Sequence, residues 1–500
     1  MNRTLGEVLE STANRWPDKL ALVGDESRLT WSELNAEADR LAGLFLRLGI
    51  RRGDAVGLCL SKRPEMVVAF LGLARLGAVA APVNFKLHSG HIEDLCRVGS
   101  LRAMVLEPRF DAVIEPLLPH LAPRLVYVGA MGKYEGVLYS EDAPSTRNKV
   151  AFDDPVYFNY TSGTTGRPKG AVATHANILW NAVSGVDTLG FYAEDVFLCM
   201  FSAFSHPHEQ FHRSLVVGAT SVMIDTLSPR IVAQAIEKHR ITWMMAVPSF
   251  YEMMLAHVGP GQFDVASLRV LEAGGAWCSA EMLERLERMF KCNFMPVWGS
   301  TETSGVVLAL TPEQRRAPTA TGMVVDHYEV KIVDSGGEPV PVGETGEMLV
   351  RGPGVCRSYV NMPHESKVAF ADGWYRTSDL VHRDEAGFFW FDGRKTDLLK
   401  VGGIRVFPLE IERVIGEHRA VAEVVVVRAE ERLRGETPRA IVVLKEKQTL
   451  SASALRAFCR RRLANYKVPR QVEFWAELPR LPNGKVDRQT IRGRRATEAD

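Results

Sequence analysis

Apolar residues recur at helical spacing through 30–48, at Leu34, Ala38, Leu41, Leu44, Phe45 and Leu48, and Gly49 follows where a helix would be capped. The run 55–60 predicts a strand, 64–76 a helix and 78–83 another strand, the order of a parallel βαβ unit. The alternation returns at 221–224, 231–239, 243–247 and 250–257. From Glu329 the texture changes: short apolar runs at 329–333, 346–351 and 387–391 are separated by Gly, Pro and Asp, which predicts a β-rich subdomain. Beyond Arg394 a helix at 408–418, strands at 421–428 and 439–444 and a helix at 453–463 predict a small α+β unit. The fold class is α/β, with a large N-terminal domain at 1–393 and a small C-terminal domain at 394–500.

Composition changes this picture little. A chain of 500 residues has room for more than one domain and a large core, and 46% hydrophobic with 24% charged residues is ordinary for a globular protein. The longest apolar stretch, 66–83, carries Arg75 and several glycines and reads as a buried helix and strand, so no membrane insertion is expected. No basic segment followed by an apolar one opens the chain, so no signal peptide is read. The seven cysteines (59, 96, 199, 278, 292, 356, 459) make no CxxC pair and fit a reducing, cytoplasmic location. Charge is split unevenly: 394–500 carry 24 Lys/Arg and 14 Asp/Glu, net +10, against net −9 for 1–393. The split marks a boundary near Gly393 and points to an anionic partner for the C-terminal part, a phosphorylated cosubstrate or an acidic carrier protein, with a merely solvated basic face as the alternative. No nucleic-acid-binding motif accompanies the charge.

The densest candidate chemistry is the run Tyr-Thr-Ser-Gly-Thr-Thr-Gly-Arg-Pro-Lys-Gly at 160–170. Its glycines let the backbone turn N–H groups toward an anion, and Thr161, Ser162, Thr164, Thr165 and Lys169 add donors beside Gly163 and Gly166. The apolar residues Val156, Tyr157 and Phe158 precede it as a strand would, and the spacing is not that of a Walker loop. The run resembles the phosphate loop of the adenylate-forming superfamily, which comprises acyl- and aryl-CoA synthetases, peptide-synthetase adenylation domains and beetle luciferases. Four further segments resemble that family's motifs, in order: Trp-Gly-Ser-Thr-Glu-Thr at 298–303, Tyr-Arg-Thr-Ser-Asp at 375–379, Asp-Gly-Arg-Lys-Thr-Asp-Leu-Leu-Lys-Val-Gly-Gly at 392–403, and Pro-Asn-Gly-Lys-Val-Asp-Arg at 482–488. The pattern is closest to carboxylate–CoA ligases.

The resemblance implies a reaction and a site. ATP would convert a small carboxylic acid into an acyl-adenylate with release of pyrophosphate, and a thiol would then take the acyl group. The thiol is coenzyme A in the leading reading and the phosphopantetheine of a carrier protein in the alternative; a catalytically inactive binding homologue is a third. The implied catalytic residues are Lys485, bridging carboxylate and phosphate, Lys169, and Glu302, which would also hold Mg²⁺. Gly274, Gly275, Ala276, Trp298, Gly299, Ser300 and Thr301 would surround the adenine, with Trp298 where the family usually has tyrosine. Asp379 and Arg394 would hold the ribose. Gly402 and Gly403 would line the thiol tunnel, and a mobile C-terminal domain would turn on a hinge at 394–397, with Thr396 where relatives mostly carry Asp or Lys.

The run His-Glu-Gln-Phe-His at 208–212 also spells HExxH, which on one helix would present two histidines to zinc. It lacks a third-ligand pattern and falls where the family's carboxylate pocket begins. His206 and His208 are accordingly assigned to the acyl pocket, and a polar, His-rich wall favours a substituted, aryl or amino-bearing acid over a plain fatty chain.

Overall fold

The computed structural model describes residues 2–87, 89–117, 124–127, 149–161, 169–276, 278, 280–314, 317, 319–402, 404–431, 435–480 and 486–494. They fall into two compact units, one of residues 1–330 and 350–376, the other of 331–349 and 377–500. The division read from charge, 393/394, lies inside the second unit, as do residues 394–397.

The larger unit is built on two sheets. The first has six strands in the order Arg124–Tyr127, Ala103–Leu106, Ala55–Cys59, Val79–Pro82, Pro155–Thr161 and Lys169–Thr174, all parallel except the last. The second has nine: Met323–Val324, Gly305–Ala309, Asn293–Ser300, Val270–Gly274, Trp243–Ala246, Val196–Cys199, Thr220–Val222, Leu20–Val23 and Arg28–Thr30. Its middle six are parallel and its edges antiparallel.

Local sequence accounts for the helices between them. Thr30 forms a capping box with Glu33 and so starts the helix Trp31–Arg47 rather than joining it. Pro64 opens the helix Pro64–Leu76 and Gly77, at φ 73°, ends it; Pro64–Leu76 is apolar all round and almost wholly buried. Both helices pack in one core with Leu58, Tyr157 and Phe211.

The run Glu329–Val333, Gly346–Arg351, Trp374–Arg383, Phe370–Ala371 and Phe389–Arg394 forms the expected β-rich part. Within the second unit, a sheet of Ile404–Val406, Leu399–Val401, Gly435–Leu444, Val421–Glu431 and Gln471–Phe474 carries helices Pro408–Gly416 and Ala452–Arg460 over an apolar core. Gln471–Phe474 pairs parallel to Gly435–Leu444 and has no counterpart in the sequence reading. None of the seven cysteines forms a disulfide, and all but Cys292 are buried. Among the described residues no helix is long and apolar enough to cross a membrane.

Candidate functional site

Strands Pro155–Thr161 and Lys169–Thr174 pair antiparallel, with Thr161 opposite Lys169. Ser162, Gly163, Thr164, Thr165 and Gly166 lie outside the described residues. Just past Lys169, the Gly170 carbonyl accepts from the Val360 N–H at 2.8 Å. That contact brings Tyr359 alongside: the Lys169 Nζ stands 5.5 Å from the centroid of its ring. The Tyr359 hydroxyl in turn donates to Glu302 Oε1 at 2.8 Å. Burial and the adjacent Glu302 carboxylate push the Tyr359 phenol above its ordinary range, so it stays a donor.

Glu302 sits on a short 3₁₀ turn, Thr301–Thr303, between strands Asn293–Ser300 and Gly305–Ala309, and is 8% exposed. The bond to Tyr359 is made through its Oε1. The two strands close tightly, since a Cβ on Gly299 would stand 2.2 Å from the Gly305 oxygen. Half-buried Trp298 lies on the same strand beside Val297, which pairs with Gly274. Gly274 ends the neighbouring parallel strand, and Gly275 turns the chain at φ 86° before exposed Ala276. The larger unit therefore brings Lys169, Glu302, Trp298, Ser300, Thr301 and the 274–276 turn to adjacent strand ends, where ligands of parallel sheets bind.

The His-rich segment is not one helix. Pro207–Gln210 is a 3₁₀ turn, and Phe211, at φ −146°, separates it from the helix His212–Val217. His206 Nε2 lies 3.4 Å from Thr301 Oγ1. His208 is fully buried and its Nε2 donates to the Ser304 carbonyl at 3.1 Å. Burial lowers its pKa to about 4, so the ring is neutral. Behind it Arg213 makes two hydrogen bonds to Glu272, at 2.7 and 3.0 Å, and Trp243 donates to the same carboxylate at 2.8 Å. Glu209 Oε2 lies 3.7 Å from both Arg213 and His212. Burial raises Glu209 to about 7 and lowers His212 well below its usual value. Among the described residues no group of three His, Cys, Asp or Glu is arranged to hold a metal ion.

In the second unit Asp379 and Arg394 are opposed across an antiparallel pair and form an ion pair at 3.0 Å. Thr396 is exposed; its neighbours are tied down, Lys395 to Glu347 at 3.1 Å and Asp397 to Arg492 at 2.5 Å. Gly402 takes φ 57°. Lys485 and Gly403 lie outside the described residues.

Sequence reasoning missed Tyr359, Arg213 and Glu272. Tyr359 belongs to no motif and meets Glu302 only in space. Glu272 did carry a signal: a glutamate inside the buried strand Val270–Gly274 requires a buried cation.

Two family models match the chain: AMP-binding enzyme over residues 9–360, and AMP-binding enzyme C-terminal domain over 410–485. It is 34% identical to an indoleacetate–CoA ligase of Aromatoleum aromaticum, covering 98% of this chain and 97% of that protein. It is 30% identical to a crotonobetaine/carnitine–CoA ligase of Escherichia coli, covering 98% of each. Among solved structures it superposes on an anthranilate CoA ligase in complex with anthranoyl-AMP with a TM-score of 0.92 at 28% identity, covering 98% of this chain and 96% of that one. A benzoate CoA ligase from Burkholderia xenovorans gives 0.89 at 27% identity, covering 98% of this chain and all of that one.

Proposed function

We propose, from the premise that this chain belongs to the family of AMP-binding enzymes, that it activates a small aryl or otherwise substituted carboxylic acid and delivers the acyl group to coenzyme A. The reaction is that of an AMP-forming acid–thiol ligase: ATP and the acid give acyl-adenylate and pyrophosphate, and the thiol then displaces AMP. Adenylation is needed because a free carboxylate has no adequate leaving group, and AMP supplies one.

The observation that carries the site assignment is the chain of contacts from Lys169 through Tyr359 to the buried Glu302. Lys169 and the hydroxyl-rich run before it meet the phosphates. Glu302 fits a hard cation, being a buried carboxylate whose Oε1 is bonded to Tyr359. Glu302 would hold magnesium, which would supply charge neutralisation at the phosphates. Trp298 and the 274–276 turn take the base, and Asp379 with Arg394 the ribose. Lys485 offsets charge that develops as carboxylate attacks phosphorus, an electrostatic role strongest in the transition state. His206, on Thr301 and 5.9 Å from the Phe201 ring, faces the acyl group. The names of the indoleacetate, anthranilate and benzoate ligases support an aryl acid.

Acid-dependent exchange of pyrophosphate into ATP, screened over aryl, arylacetic, aliphatic and amino acids, tests this reading. Exchange with an aryl acid and thioester on free coenzyme A are expected. Exchange with no acid would reject it, and turnover on a holo carrier protein alone would move the acceptor to that protein.

A further inference from the structure

The turn that carries Glu302 is held by an unusual number of donors. Five consecutive carbonyls, from Glu302 to Val306, each accept a hydrogen bond from another part of the larger unit or from the turn itself. The Glu302 oxygen accepts from the Cys356 N–H at 2.8 Å. The Thr303 oxygen accepts from the Tyr328 hydroxyl at 3.0 Å. The Ser304 oxygen accepts from His208 Nε2 at 3.1 Å, and the Gly305 oxygen from Thr303 Oγ1 at 2.7 Å. The Val306 oxygen accepts from Asn181 Nδ2 at 3.0 Å, and the same amide reaches the Tyr328 hydroxyl at 2.9 Å.

The backbone here does not adopt this shape unaided. Ser304, with a side chain, takes φ 55°, and Gly305 takes φ 129°. Such conformations cost about 1–3 kcal/mol each for residues that disfavour them and persist only where surroundings impose them. Gly305 could not carry a side chain, because its Cβ would stand 2.3 Å from Asn181 Oδ1 and 2.7 Å from Glu209 Oε1. Thr303, Ser304, His208 and Asn181 are all at most 1% exposed, so each of these bonds lies away from water. A carbonyl only accepts, so His208 is protonated on Nε2, and its buried Nδ1 has no hydrogen-bond partner among the described residues.

We infer that His208, Asn181 and Tyr328 are positioning residues that fix the Glu302 turn for its cation, and that His208 acts from behind this turn rather than as a wall of the acyl pocket. The inference rests on the assignment of Glu302 to magnesium made above. It gives the HExxH run a use that needs no zinc: the first histidine is a buried donor, and the glutamate beside it fills the space against Gly305.

Tyr328→Phe is the mildest probe, because it removes one hydroxyl and leaves the ring. His208→Leu removes a second donor, and His208→Gln keeps an amide that can reach Ser304. MgATP binding is followed by calorimetry across a magnesium titration, with Glu302→Gln and the Glu302→Gln/Tyr328→Phe double variant alongside. Tyr328→Phe and His208→Leu are each expected to raise the magnesium concentration at half-saturation about three- to tenfold, the loss of one buried hydrogen bond. His208→Gln is expected to stay within about twofold of the parent, KM for the acid to hold in all three, and Tyr328→Phe to add nothing once Glu302 is Gln. Should Glu302→Gln leave the magnesium dependence unaltered, the reading of Glu302 and this inference both fall. If Glu302→Gln shifts it but Tyr328→Phe does not, or does so undiminished in the double variant, the inference alone is overturned.

Discussion

Arg213 is one buried cation facing two buried carboxylates. It bonds Glu272 through both terminal nitrogens, which leaves Glu209, 3.7 Å away, without a counter-charge of its own. A carboxylate in that position keeps its proton, consistent with the rise to about 7 caused first by burial. The sign follows for stability. Below the ordinary 4.5 Glu209 is protonated in folded and unfolded chains alike; between there and about 7 only the unfolded chain releases the proton, so folding weakens as pH rises. The loss approaches about 3 kcal/mol above neutral pH. His208, lowered from 6.5 to about 4, works oppositely and weakens folding as pH falls through that window. Glu209→Gln should therefore raise the urea midpoint at pH 8 and have little effect at pH 4.5; an unchanged midpoint at pH 8 would show that Glu209 is charged and paired. Lys485 belongs to the same scale. Lys485→Ala should slow adenylation about 10²-fold or more while ATP still binds and pre-made acyl-adenylate still reacts with the thiol. Equal loss in both half-reactions would remove Lys485 from the first one.

At the scale of elements, the strand pair Asn293–Ser300 and Gly305–Ala309 has no space for a methyl group at Gly299. Gly299→Ala should cost about 1–3 kcal/mol, read as a lower denaturation midpoint at unchanged m-value, and should weaken MgATP binding because the Glu302 turn shifts with it. Wild-type binding together with wild-type stability would contradict the close approach. Elements like these are unevenly legible in the sequence. Pro64–Leu76 was plain, because an apolar run with Pro at its start and Gly at its end admits few other readings. Lys169–Thr174 carries no strand signal of its own, since its first residues spell phosphate-loop chemistry and its pairing to Pro155–Thr161 lies in hydrogen bonds the sequence does not spell. His208 illustrates the harder limit. Its neighbours in the chain point to the acyl pocket, but its ring bonds to Ser304, 96 residues onward. The HExxH spacing puts both histidines on one face only if the run is a single helix, and the chain breaks at Phe211. Tyr359 and Glu302 are 57 residues apart, with no motif to join them.

For the whole molecule, the net +10 of residues 394–500 against −9 for 1–393 should make the apparent KM for coenzyme A rise with salt, because charge attraction is screened over about 10 Å at 0.1 M. An unchanged KM between 0.05 and 0.5 M salt, on the order of a tenfold range, would assign the basic charge to solvation alone. The distribution of sulfur carries a different consequence. An acyl-adenylate is electrophilic enough to be intercepted by any thiolate within reach, including one of the protein's own. Burial pushes the thiols of Cys96, Cys199, Cys278 and Cys356 up to about 12, and those of Cys59 and Cys459 upward as well, so none of these six ionises near neutral pH. Cys356 lies two residues from Gly354 on the segment that also supplies Tyr359, yet it is shut in against Ser304. Those six sulfurs are thereby kept from self-acylation: the arriving cosubstrate meets no rival nucleophile among them, and chemoselectivity is set by what the core conceals as much as by what the site presents.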